Sequence, residues 1–346
     1  MQAFEITRIL ILATVGFCVA MAFTPLLSHF LYKYNLGKQI RNNKPIFHNF
    51  HSKKEGTPTM GGILIWGTVL VLAFIFWLFS RFNVVVFKDL NFLNRGETFL
   101  PIGIMIFAAI VGLGDDLLGI FRKGPNGGGM GVRRKLILYA IIAAVGSWWF
   151  YFKLDWDLIS VPFLGSFNIG LWYIPTFIFI IVATAFSANE TDGLDGLLGG
   201  VSLVAFLSLG VIAFSQGRYD LAAFCGIVIG ATLAFLWFNI HPARFFMGDT
   251  GSMSLGITLG VIAMLTNTAL LLPFIASILF IETLSVIIQF FYKKIKGKKL
   301  FYSTPLHHHF EAIGWPETKI TMRFWIIAGV MAFIGVVIGL TGYGII

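Results

Sequence analysis

Charge is scarce in this chain. Asp, Glu, Lys and Arg make up only 12% of its 346 residues, against roughly 25% in an average globular domain. So few charges cannot cover a water-soluble surface, which excludes a soluble enzyme, a disordered chain and a fibrous repeat. Cysteine is scarcer still. Cys18 and Cys225 both lie inside apolar runs, and two such residues form neither a disulfide framework nor a metal-ligand spacing. What is abundant is apolar: 57% of the residues are hydrophobic and the mean hydropathy is +0.85. Several apolar runs reach the ~20 residues that a helix needs to cross a hydrocarbon core. The N-terminal run is too long for a cleaved signal peptide and reads as a first span.

Ten apolar segments can be marked, at approximately 9–31, 60–80, 98–118, 136–152, 171–188, 197–215, 221–240, 252–268, 269–291 and 324–345. They do not alternate as barrel strands would, and backbone polar groups in lipid must be satisfied within the segment, so each is expected to be a continuous helix. The expected fold is an all-α polytopic membrane protein made of one integral-membrane domain spanning residues 1–346. Basic residues orient it. The termini and the connections near 81–97, 153–170, 216–220 and 266–268 hold Arg8, Arg81, Lys88, Arg95, Lys153 and Arg218, whereas the other connections hold the remaining 19 of 25 Lys and Arg. Cytoplasmic loops carry the excess of Lys and Arg, so the second set is expected in the cytoplasm and both termini outside. The net charge of +9 is explained by this asymmetry, without a nucleic-acid partner.

The unusual polar residues fall on that same cytoplasmic side. Gly114-Asp115-Asp116-Leu117-Leu118-Gly119 places two carboxylates at the mouth of the third span. Acids beside lipid are costly unless something positive binds them. Either both are solvated at a helix end, or one holds a metal while the other acts as a base. Asn189-Glu190-Thr191-Asp192-Gly193-Leu194-Asp195-Gly196 packs three acids and two glycines after the fifth span. Its glycines permit close backbone approach to a ligand. Arg244-Phe245-Phe246-Met247-Gly248-Asp249-Thr250-Gly251-Ser252 opens the eighth span, and suits either a phosphate at a helix N-terminus or an ordinary helix cap.

Three further features belong to this side. Pro305-Leu306-His307-His308-His309-Phe310-Glu311 carries consecutive histidines, which fan out by about 100° each on a helix instead of pairing at the i, i+4 spacing of helical zinc sites. Phosphate or sugar contact, or proton handling, suits them better. Lys53-Lys54-Glu55-Gly56-Thr57-Pro58-Thr59-Met60-Gly61-Gly62 enters the second span and reads as a diphosphate grip or a basic helix-end anchor. Arg122, Lys123, Arg133, Arg134 and Lys135 add positive charge beside the Asp pair, steering an anionic substrate or obeying the inside rule. Glu282 lies deep in the ninth span with Gln289 further along it, and an intramembrane carboxylate is functional or hydrogen-bonded within the bundle. Gly226/Gly230 and Gly256/Gly260 read as helix-packing positions.

Acids, lysines and glycine turns without a thiol point to magnesium with phosphates, because Mg²⁺ is usually held by one or two carboxylates plus substrate phosphates. With ten spans, at least one substrate is expected to be lipid-borne. The residues therefore support transfer of a phosphorylated group from a nucleotide donor to a lipid phosphate. The different-class alternative, a polytopic transporter, would more often keep its ionisable residues at mid-membrane.

At these residues the sequence resembles the polyprenyl-phosphate N-acetylhexosamine-1-phosphate transferase superfamily, glycosyltransferase family 4, and within it the phospho-N-acetylmuramoyl-pentapeptide transferases. The resemblance rests on Gly56-Thr57-Pro58-Thr59-Met60-Gly61-Gly62, Asp115-Asp116, Thr191-Asp192-Gly193-Leu194-Asp195-Gly196, Phe246 to Ser252, and Pro305 to Glu311 with Gly314-Trp315 and Arg323-Phe324-Trp325. It implies a ten-span bacterial inner-membrane enzyme, commonly a homodimer. Such an enzyme transfers phospho-MurNAc-pentapeptide from UDP-MurNAc-pentapeptide to undecaprenyl phosphate with Mg²⁺, yielding lipid I and UMP. Carried over by position, the resemblance implies Asp115, Asp116, Asp249 and His308 as catalytic residues, with the metal on Asp249 and Asp115. Asp115 and Asp116 would engage the lipid phosphate, with Asp115 as the base. Lys54, Thr59, Lys123, Asn189, Asp192, Gly193, Leu194, Asp195, Phe246, Gln289, His307 and His309 would bind substrate. Gly119 and Glu190 stand where the family usually carries Lys and Leu. A sister enzyme using UDP-N-acetylglucosamine is the alternative within the superfamily, and either a one-step transfer or an aspartyl-phosphate route is open.

Overall fold

Long apolar stretches satisfy their own backbone groups as helices, and the computed structural model is built almost wholly from them. It describes residues 2–37, 54, 56–82, 85–93, 96–124 and 128–343. Lys53, Glu55, Arg95 and the last two positions of the expected final span lie outside the described residues. The helices are α1 (Gln2–Lys33), α2 (Ile63–Ser80), the short α3 (Val85–Leu90), α4 (Gly96–Ile120), α5 (Val132–Lys153), α6 (Tyr173–Thr191), α7 (Leu197–Ser215), α8 (Tyr219–Asn239), α9 (Gly248–Leu265), α10 (Leu272–Ile275), α11 (Ser277–Lys296), α12 (Leu306–Ala312) and α13 (Glu317–Gly342). Nine helices among the described residues are long and apolar enough to cross a membrane, or ten spans if a bent pair counts as one. The chain is a polytopic helical membrane protein.

The bent pair corrects one expectation. The ninth segment is not a continuous helix: residues 269–275 and 277–296 meet at 92°. Ala276 leaves helical geometry at φ −118°, ψ 42°, although its N–H still donates to Leu272 O at 2.8 Å. Ile275, Ala276 and Ser277 are buried in protein, and Gly335 of α13 gives Ile275 room, since a Cβ there would lie 2.9 Å from Ile275 Cγ1. Irregular backbone at membrane depth is tolerated where it is enclosed by protein.

At the bundle's core is α9, whose apolar window is 94% buried and which packs against α4 and α6. Its small residues make this possible. A Cβ on Gly256 would lie 2.6 Å from Ala188 Cβ, and one on Gly260 2.5 Å from Thr184 Oγ1. The same logic joins α1 to α8, where a Cβ on Gly230 would lie 2.0 Å from Ala13 O. Small residues let helix backbones approach closely where lipid supplies no hydrophobic drive for association.

One non-helical element was not anticipated. Strands β1 (Leu158–Val161) and β2 (Gly165–Asn168) form an antiparallel hairpin with Val161 opposite Gly165. Ser160 N–H donates to Asn267 Oδ1 at 3.0 Å, and Phe163 N–H to Gly342 O at 2.7 Å. Three regions that the alternation of spans assigns to one side of the membrane therefore meet at one end of the bundle.

Replacing Gly230 tests the close α1–α8 packing. Gly230→Val drives a side chain into the Ala13 backbone and is expected to cost about 1–3 kcal/mol, read as a lower midpoint of thermal unfolding in detergent. Gly226→Ala, whose new Cβ would lie 3.2 Å from Ile9 Cγ2, is expected to cost less.

Candidate active site

The N-terminus of α9 ends inside the protein, so its unpaired amides need partners. Asp116, in the last turns of α4, supplies them. Its Oδ1 accepts from Asp249 N–H and its Oδ2 from Thr250 N–H, each at 3.0 Å. Thr59 Oγ1 stands 3.5 Å from Asp116 Oδ1. Two glycines permit this approach. Gly248 has φ +74°, and a Cβ there would lie 2.5 Å from Asp116 Oδ2, while one on Gly112 would lie 2.3 Å from Asp249 O. The carboxylate also meets the positive end of the helix dipole.

Capping α9 in this way presents the side chain of Asp249 beside Asp115. Lys135, in the first turn of α5, lies between them, with Nζ 2.7 Å from Asp115 Oδ2 and 2.7 Å from Asp249 Oδ2. Asp115 Oδ2 is buried, with the Lys135 ammonium against it. The other oxygen of Asp115 accepts from Met130 N–H, over Gly129, where a Cβ would lie 2.6 Å from it. Asn189 Nδ2 donates to Asp249 Oδ1 and, at 3.2 Å, to Ser252 Oγ. The hydroxyl of Tyr139 is buried without a hydrogen bond, within electrostatic reach of Asp249, Asp115 and Glu190.

A second charged cluster adjoins the first. Phe246 N–H donates to Pro58 O, and Gly61 and Gly62 N–H donate to Phe246 O and Met247 O, all at 2.8 Å. These bonds knit two of the motifs together. They bring Lys54 over the Phe246 ring at 5.8 Å, and its Nζ reaches Asp195 Oδ1 at 2.7 Å and Glu317 Oε1 at 2.6 Å. His241 Nδ1 lies 2.9 Å from Asp195 Oδ2 and 3.4 Å from Glu317 Oε2. Ligand atoms of Asp195, His241 and Glu317 all fall within 4.8 Å of one another, close enough to hold a cation.

The histidines diverge. His307 is fully buried, its N–H pointing at Glu282 Oε1 at 3.2 Å and its Nδ1 lying 3.2 Å from Glu282 Oε2. Its ring edge presses on Gly193, where a Cβ would lie 2.2 Å from Nε2. His308 pairs with Glu311 at 2.6 Å. His309 stacks on Tyr302 and accepts its N–H at 3.3 Å.

The remaining expected residues are spread around these clusters. Gln289 accepts from Leu300 and Phe301 N–H, each at 3.0 Å, and so ties down the segment after α11. Leu194 is buried, Asp192 is half-buried at the end of α6, and the Lys123 side chain is exposed after α4. The sequence presents Lys135 only as one of five basic residues beside the Asp pair, and neither Glu317 nor His241 was expected in the site. Lys135 is one cation in a basic run and Glu317 one acid at a helix start; no local spacing distinguishes them.

Removing the cap tests this construction. Asp116→Ala leaves two buried amides unpaired, a loss of about 1–3 kcal/mol. The expected result is a lower thermal midpoint of the purified protein, with Asp116→Asn less affected.

Comparison with known proteins places the chain in a family. The glycosyl transferase family 4 profile matches residues 98–267, and the phospho-N-acetylmuramoyl-pentapeptide-transferase signature 1 matches residues 54–65. Relatives bearing that transferase name include one from Chloroflexus aggregans, 38% identical over 97% of this chain and 90% of its own length. Another, from Geobacillus thermodenitrificans, is 38% identical over 95% of this chain and 97% of its own. A third, from Clostridium perfringens, is 39% identical over 94% and 95%. At such identity over nearly the whole length, the chain belongs to the phospho-N-acetylmuramoyl-pentapeptide-transferase family.

Proposed function

We propose that the protein transfers phospho-MurNAc-pentapeptide from UDP-MurNAc-pentapeptide to undecaprenyl phosphate, releasing UMP and forming lipid I for peptidoglycan synthesis. The observation that carries this reading is the convergence of Asp115, Asp249, Asn189 and Lys135 at one end of the bundle, in a chain of this family. An oxygen of the lipid phosphate attacks the sugar-linked phosphorus. The bond from that phosphorus to the oxygen bridging the two phosphates breaks, and UMP leaves with the electron pair. A phosphate monoester has its second pKa near 6, so the nucleophile needs little deprotonation at neutral pH, and Asp115 completes it. Positioning and charge neutralisation then supply most of the rate.

The residues fit a magnesium ion. Asp115 Oδ2 faces the same point as Asp249 Oδ2, and hard carboxylate oxygens are the donors Mg²⁺ takes. Asp115 and Asp249 would hold it. Bound there, it would neutralise diphosphate charge. Asp116, both of whose oxygens accept amides of α9, acts by fixing the position of Asp249. Lys54 with its Asp195–His241–Glu317 partners, together with Thr59, Asp192, Gly193, Leu194 and Phe246, forms the donor side, and His308 contacts the donor. The active site faces the cytoplasm at the bacterial inner membrane, with both termini outside. The basic residues support this, since 19 of 25 fall on the connections that the alternation of spans along the sequence assigns to the side of Asp115 and Asp249. A homodimer is part of the same proposal.

Purified protein in lipid is expected to release UMP from UDP-MurNAc-pentapeptide only when undecaprenyl phosphate is present, and not from UDP-N-acetylglucosamine. Asp115→Asn and Asp249→Asn are each expected to lower kcat by about 10²-fold or more. A chelator should abolish turnover, and Mn²⁺ should restore it. Near-normal transfer by both variants, or full activity in chelator, would refute these roles. A cysteine placed at the exposed position 123 should react with a membrane-impermeant maleimide from the cytoplasmic side only.

A further inference from the structure

Two carboxylates that face one point repel unless a cation separates them. Here the cation is an ammonium. Lys135 Nζ lies 2.7 Å from Asp115 Oδ2 and 2.7 Å from Asp249 Oδ2, with its side chain only 15% exposed. It serves both carboxylates at the same distance and so occupies the point that the two oxygens share. An ammonium brings one positive charge to two carboxylates, whereas a divalent ion brings two. The two oxygens therefore hold Lys135 and are better suited to a hard divalent ion. Such an ion binds carboxylate oxygens at about 2.1 Å and would fill the wedge that Nζ fills, so the two cannot be present together.

We propose that Lys135 is a placeholder for the divalent cation: it holds Asp115 and Asp249 together while the metal is absent and leaves when the metal enters. This rests on the metal reading proposed above. Lys135 stands in the first turn of α5 on a four-carbon stem, long and flexible enough to swing. Once displaced, its charge turns towards the diphosphate that the metal also neutralises. The lysine thus competes with the metal in the substrate-free protein and positions the phosphate in the loaded one. Its removal is expected to have opposite effects on metal affinity and on turnover. A lysine that merely supported the fold would weaken both.

The test is a titration of Mn²⁺, followed by electron paramagnetic resonance, into substrate-free full-length protein in nanodiscs. The forms compared are wild type, Lys135→Met, Lys135→Gln, Lys135→Arg and Asp249→Asn. The two neutral variants should bind Mn²⁺ about tenfold more tightly than wild type while their kcat falls. Lys135→Arg should stay near wild-type affinity, and Asp249→Asn should lose the site. In chelator the neutral variants should melt below wild type, and Mn²⁺ should raise their midpoint more than it raises that of wild type. Mn²⁺ affinity equal to or weaker than wild type in both neutral variants, with the Asp249-dependent site intact, overturns the placeholder and leaves the metal reading standing. Absence of any Asp249-dependent Mn²⁺ signal in wild type and variants overturns the metal reading, and the placeholder with it.

Discussion

A helix that begins inside a membrane protein must find partners for its first amides, and here a single carboxylate supplies them. Asp116 takes two N–H groups of α9, and the rest of the site follows from that contact. It sets the height of α9 against α4, and therefore where Asp249 stands relative to Asp115. The lack of side chains at Gly112 and Gly248 is as necessary as the carboxylate, because a Cβ at either would sit within 2.5 Å of an atom of the partner segment. Adjacent acids in the sequence thus have different duties. One builds the helix junction, and its neighbour, turned about 100° around the helix, faces Lys135 and Asp249.

Charge in this protein is concentrated where it can be compensated. Lys135 lies between Asp115 and Asp249, and Lys54 between Asp195 and Glu317. Each lysine serves two carboxylates, so each cluster keeps a net negative charge before any ligand arrives. Partly buried acids left one positive charge short favour a further cation beside them. A phosphate-bearing ligand entering either cluster would meet carboxylates of its own sign, which a cation would screen.

The spans were legible because length and apolarity alone define them, and the acid motifs because acids are rare among such residues. The bend at Ala276 was not. Its immediate neighbours Ile275 and Ser277 include no glycine or proline, and the break is held by packing against α13, which only the fold supplies. The hairpin was hidden in a short connection whose strands are four residues each. Within the site, the motif residues Asp115, Asp116, Asn189 and Asp249 could be named from their surroundings, but their division of labour could not. That Asp116 caps α9 and that Lys135 spans two acids are facts about residues more than a hundred positions apart. Gln289 shows the same limit. Its polarity in an apolar helix marked it, yet its partners are the backbone of Leu300 and Phe301.

The bend gives the buried carboxylate of Glu282 its place. Because α11 departs from α10 at 92°, Glu282 meets the start of α12 instead of continuing along a straight span. There it lies against the N–H and Nδ1 of His307. His307 in turn presses on Gly193, a position that a β-carbon would close, and so docks the histidine helix against the loop after α6. That loop carries Asp192 and Asp195, and α6 carries Asn189. A buried acid in a broken helix therefore anchors the histidine segment to the same platform that orients Asp249. The ionisable residue deepest in the ninth span thus supports the histidine segment from beneath, through the N–H and Nδ1 of His307.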